Sequence, residues 1–66
     1  MIKYFKSKHW IYKVDFDLLR YSSCNRFDLW RTENIIIPID FRNELSWISH
    51  GFEESSEFEW NSYLEL

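Results

Sequence analysis

Apolar and polar positions alternate most clearly over residues 9–18. There Trp10, Tyr12, Val14, Phe16 and Leu18 are separated by mostly polar neighbours, the period of two that a strand with one buried face requires. A helix would scatter those five around its circumference. Upstream, Ile2 and Tyr4 extend this strand or form a short one of their own, with Lys6 to Lys8 as the turn. The polar run Tyr21-Ser22-Ser23-Cys24-Asn25 reads as a turn or short loop. Arg26 to Arg31 then alternates Phe27 and Leu29 with charged residues, and Thr32-Glu33-Asn34 separates it from Ile35-Ile36-Ile37-Pro38-Ile39, whose β-branched content favours a strand. Asn34 suits a left-handed turn between these two runs, and Pro38 confines the second to a sheet edge or ends its pairing.

After Asp40 the period changes. Phe41, Leu45, Ile48 and Phe52 recur at steps of four, three and four, Asp40 suits the N-cap, Glu44 lies early and Gly51 lies where a helix stops. These signals predict a helix from about Phe41 to His50. The tail fits two patterns. Ser56-Glu57-Phe58-Glu59 forms a capping box followed by Trp60, Tyr63 and Leu64 at helical spacing, whereas Phe58, Trp60, Leu64 and Leu66 also fit alternation.

The pattern predicts a single α+β domain over residues 1–66: a small antiparallel sheet of three or four strands packed by one helix, with a short C-terminal helix or strand. Its expected core is Trp10, Tyr12, Val14, Phe16, Leu18, Phe27, Leu29, Ile35, Ile37, Leu45 and Ile48. A domain this short buries only ~60% of its unfolded surface, so it depends on large side chains. The chain has 14 aromatic residues among 66 and neither Ala nor Gln, which supplies that bulk.

Charge adds the main functional lead. Residues 1–31 carry seven Lys or Arg against three Asp or Glu, and residues 32–66 carry one against eight. No apolar run approaches the ~18 residues of a membrane span. Met1-Ile2-Lys3 is followed too soon by Lys6, Ser7, Lys8 and His9 to form the core of a signal peptide. A soluble cytoplasmic protein without membrane contact is therefore expected, and the lone Cys24 suits a reducing compartment.

Little in the chain supports chemistry. His9 and His50 read as surface or capping residues, and one Cys with two scattered His lacks zinc spacing. Asp15 and Asp17 share a strand face but have no third acid or following Gly to complete a cation loop. Cys24 lacks a helix N-terminus after it to lower its pKa. One glycine excludes the phosphate-cradling loops. A non-enzymatic protein without metal or cofactor is expected.

Two binding readings remain. In the first, Phe52, Glu53, Glu54, Glu57, Phe58, Glu59 and Trp60 form an acidic, aromatic surface for a basic protein partner. Phage anti-defence proteins, immunity proteins and antitoxins share this general composition, so an inhibitor or regulator is the expected type. In the second, Lys3, Lys6, Lys8 and Lys13, interleaved with Tyr4, Phe5, Trp10 and Tyr12, contact nucleic acid. The net charge of −3 weighs against it, because long-range attraction supplies most non-specific affinity. The two halves also suit a homodimer in which the basic sheet of one copy meets the acidic tail of another, or a pairing within one chain.

Overall fold

The computed structural model describes residues 1–27 and 30–64. Four strands run as an antiparallel meander: β1 (Ile2–Lys6), β2 (Trp10–Asp15), β3 (Arg20–Asn25) and β4 (Arg31–Ile36). A single 3-10 turn (Ile39–Phe41) and the helix α1 (Glu44–Ser49) carry the chain back across the sheet to β5 (Glu53–Glu54), which pairs antiparallel with β1. The helix α2 (Glu57–Leu64) follows. The sheet order is β4-β3-β2-β1-β5, so the architecture is α+β with five strands and two helices among the described residues, where a sheet of three or four strands packed by one helix, with a short C-terminal helix or strand, was expected. The tail takes the helical alternative.

Each face of the sheet carries its own core. On the first, Phe5, Val14 and Ile37 pack with Trp47 of α1, flanked by Tyr12, Phe16, Leu19, Tyr21, Phe41 and Phe52. On the second, Ile11 and Cys24 lie beneath Trp60 of α2, flanked by Tyr4, Tyr63 and Leu64. The alternation of Tyr12, Val14 and Phe16 correctly marked one face. Ile11, between two members of that stripe, is fully buried on the other because α2 covers it.

The polar run at 21–25 is strand β3, at the heart of the sheet, and not a turn. Small side chains fit there: Cys24 allows the indole of Trp60 close approach, and Ser23 Oγ and Thr32 Oγ1 share a hydrogen bond of 2.6 Å toward the edge strand. β3 ends at Asn25 and β4 begins only at Arg31, later than the strand expected from Arg26, and Phe27, expected in the core, is exposed. Thr32-Glu33-Asn34 lies inside β4. Asn34 does adopt a left-handed conformation (φ 53°), but beside the register shift between Tyr21 and Ser23 and not in a hairpin turn. Pairing stops before Pro38, as expected, with Ile37 N–H donating to Leu19 O at 3.0 Å. The predicted core residue Leu29 and the tail residue Leu66 lie outside the described residues.

The first helix is shorter than its stripe implied. Its N-cap is Asn43, whose Oδ1 accepts from Ser46 N–H at 2.9 Å, and not Asp40, which lies in the 3-10 turn. Starting at Glu44 rotates the buried position to Trp47 and turns Leu45 and Ile48 outward, Leu45 to 78% exposure. Gly51 ends the helix at φ 91°, as expected. Leu18 and Ile35 are also exposed, and Trp10, Tyr12 and Phe16 only partly buried, so of the expected core Val14 and Ile37 are the fully buried members. Leu45→Ala is accordingly expected to change stability by less than ~0.5 kcal/mol in denaturant unfolding. A loss of several kcal/mol would show that Leu45 faces the core.

Candidate functional site

The acidic residues expected to meet a partner separate into structural and free groups. Phe52 packs against Tyr12 and Trp47, with ring centroids 5.2 and 5.1 Å apart, so it belongs to the first core. Trp60 is buried in the second. Glu59 accepts from Lys6 Nζ at 3.0 and 3.2 Å. That bond is the leading cause that holds the Glu59 carboxyl below its ordinary value and the Lys6 ammonium above its own. The remaining four, Glu53, Glu54, Glu57 and Phe58, are exposed on β5 and the first turn of α2.

Local structure explains why these four stand together. β5 is a two-residue edge strand, with Glu53 opposite Lys6 and Glu54 opposite Phe5. Two residues later Ser56 Oγ accepts from Glu59 N–H at 3.1 Å, which starts α2 and places Glu57 and Glu59 in the turn where the helix dipole favours anions. Trp60 faces the sheet, so Phe58, two positions earlier, faces away from it and is 80% exposed. Glu53, Glu54 and Glu57 form no ion pair with a described residue.

The lysines do not form one surface. Lys3 lies on the first face, 3.6 Å from Glu44, and Lys6 on the second, paired with Glu59. Lys8 is in the β1–β2 turn, and Lys13 lies on the second face of β2. The two ion pairs Lys3–Glu44 and Lys6–Glu59 join the basic and acidic halves within a single chain. Part of the charge division is therefore satisfied inside the fold.

Arg26 and Arg31 escaped the sequence reading as site residues, whereas Lys13 was named there without its groove; both placements depend on the position of β3. Arg26 sits 5.8 Å from the centroid of the Tyr63 ring, and Arg31 donates to Leu64 O at 3.4 Å, so two arginines attend the C-terminal end of α2. On the second face, Lys13 opposes Ser22 in an open groove that Trp60 and Leu64 of α2 border on one side. The first face has an aromatic cleft of about 170 Å³ lined by Tyr12, Tyr21, Pro38, Phe41, Trp47 and Phe52. Burial there, the leading cause, pushes the Tyr12 phenol above its ordinary value, against a lowering hydrogen bond with Ser7. Its volume falls below the ~300–1,000 Å³ common for ligand pockets.

Among the described residues no three His, Cys, Asp or Glu cluster as metal ligands, and no helix is long and apolar enough to cross a membrane. Cys24 is buried. His50 Nδ1 lies 2.7 Å from Ser46 O at the end of α1, and the His9 ring meets Phe27 edge-on at 4.6 Å. No protein-family model, curated protein or solved structure matches the chain.

The Lys6–Glu59 pair yields a pH prediction. Glu59 is depressed, so its contribution is present above the unfolded glutamate value and lost as pH falls through the folded one; Lys6 is raised, so its contribution persists below the ordinary lysine value and is lost at higher pH. The pair thus acts across neutral pH. Lys6→Met should return the Glu59 carboxyl toward its ordinary value in an NMR titration, and an unchanged midpoint would mean that Lys6 is not its partner.

Proposed function

We propose that this protein is a small non-enzymatic protein-binding module, of the inhibitor or regulator type, that engages a basic partner surface through the edge formed by β5 and the start of α2. Phe58 carries the reading: it is an 80% exposed aromatic side chain within five residues of Glu53, Glu54 and Glu57, which form no ion pair with a described residue. An exposed large apolar group in an acidic stretch of chain suits a partner that offers an apolar pocket near a basic surface. The carboxylates would speed the encounter, and burial of the ring would lengthen the complex.

The test compares Phe58→Ala and the triple change Glu53→Gln, Glu54→Gln, Glu57→Gln with the wild-type protein. Each is used as bait in nuclease-treated extract, and the captured protein is then purified and titrated. Phe58→Ala should weaken binding by ~2 kcal/mol or more if the ring is the anchor. The triple change should mainly slow association at low salt. Equal affinity and equal association rate for all three would remove the proposal. A second copy of the chain is one candidate for the basic partner. Light scattering that shows a dimer for the wild-type protein and a monomer for the triple variant would identify it.

A further inference from the structure

We infer that the uncovered half of the sheet's second face, together with the described residues Arg26, Phe27 and Trp30 beside it, is a track for single-stranded nucleic acid. The register sets its geometry. On this face, Ile2, Asp15, Arg20 and Ile36 form one row across four strands, Tyr4, Lys13 and Ser22 the next, and Lys6, Ile11, Cys24 and Arg31 a third. Trp60 and Leu64 of α2 lie against the third row and border the groove that half-exposed Lys13 lines, and no α2 residue lines the cavity over the first row. Two shallow cavities of about 230 Å³ each meet there and share Lys13 and Ser22.

Arg20, Lys13 and Arg31 therefore stand in three successive rows of one face. Rows two residues apart are ~7 Å apart along a strand, comparable to the step between phosphates of an extended chain. Lys13 forms no ion pair with a described residue. Among the described residues, Arg20 and Arg31 spend one donor each, on the carbonyls of Asn34 (3.1 Å) and Leu64 (3.4 Å), and a guanidinium has five. Of the described acids beside the track, Asp15 is turned to its own loop, Oδ1 accepting from the N–H groups of Asp17 and Leu18 at 2.9 and 3.0 Å, and Asp28 lies outside the described residues. Glu33 is exposed at the edge strand.

Beyond Arg31 the track is continued by the described residues Arg26, Phe27 and Trp30 between β3 and β4. Phe27 and Trp30 there are 73% and 62% exposed, Arg26 adds a cation, and Lys8 lies in the neighbouring turn, tied to this end by the Arg26 N–H bond to His9 O at 3.0 Å. Cations that follow a backbone and exposed rings that accept bases by stacking are the two parts of sequence-tolerant single-strand binding. The local charge supplies attraction that the net charge of the whole chain does not. This surface adjoins the C-terminal end of α2, whereas the acidic edge adjoins its N-terminal end.

The test is fluorescence anisotropy with labelled oligothymidylate and oligouridylate of about 12 nucleotides, titrated from low to moderate salt, alongside vesicles of phosphatidylcholine and phosphatidylserine and a polyglutamate control. The wild-type protein should bind an oligonucleotide in preference to both controls. Lys13→Gln with Arg20→Gln should weaken binding at least ~fivefold and flatten its salt dependence, whereas Phe27→Ala with Trp30→Ala should weaken it by about as much and leave the salt slope unchanged. Circular dichroism establishes that each variant is folded, and Lys13→Gln alone serves if the double change unfolds. No oligonucleotide binding at low salt, equal binding to vesicles or polyglutamate, or folded variants that bind like the wild-type protein would each overturn the inference.

Discussion

Trp47→Ala is expected to leave the chain unfolded, or nearly so, at ambient temperature. The indole is almost fully buried and touches every part of the first core: its ring centroid is 5.1 Å from Phe5 in a stacked arrangement, 5.3 Å from Tyr12, 5.2 Å from Phe41 and 5.1 Å from Phe52. Its Nε1 donates to Phe41 O at 2.8 Å, which ties α1 to the 3-10 turn before it. Removing a buried Trp costs ~3–5 kcal/mol. A domain of this length has only ~3–10 kcal/mol in total. A six-residue helix has no stability of its own, so the face beneath α1 opens once its single buried residue is lost. Thermal denaturation followed by far-UV circular dichroism decides the matter. A cooperative melt within a few degrees of the wild-type protein would show that Trp47 is not the keystone described.

Trp60→Ala is expected to have a large but more local effect. Trp60 is the buried residue of α2, covers Ile11 and Cys24, and has its ring 6.5 Å from that of Tyr4. The truncation again costs ~3–5 kcal/mol. The first core keeps its own contacts, so detachment of α2 should precede loss of the sheet. Cys24 reports this directly, because its thiol is fully buried in the intact protein. Modification by a maleimide should be slow in the wild-type protein and much faster in the variant while the sheet signal persists. Equal rates would show that α2 does not shield the thiol. Because Trp60 is structural, weakened partner binding by this variant would not locate an interface; Phe58→Ala would.

The sequence and structure diverge for identifiable reasons. Period-two alternation reveals one buried face, so Tyr12, Val14 and Phe16 were legible, but it cannot show that a distant helix covers the opposite face at Ile11. β3 was missed because Ser22, Ser23 and Cys24 resemble a loop by composition. Their smallness is a packing requirement created by Trp60 and the edge strand, both distant in sequence. The helix at 44–49 was legible in its existence and in its stop at Gly51. Its inward face was not, because a start at Asn43 in place of Asp40 rotates the stripe from Leu45 and Ile48 to Trp47. Among the candidate binding residues, acidity was visible in the sequence, but exposure was not. Phe52, Phe58 and Trp60 look alike in one dimension and end in the first core, in solvent and in the second core.

The connection from β4 to β5 also orders assembly in time. β1 to β4 pair through neighbours in the chain, whereas β5 must find β1 across most of the sequence, and closing so long a loop is entropically slow. The meander should therefore form first, with the free edge of β1 still unpaired while the chain is being made. Lys6 and Glu53 meet only when the crossover has closed. The acidic edge should thus be a late product of folding, displayed by finished molecules and absent from immature ones.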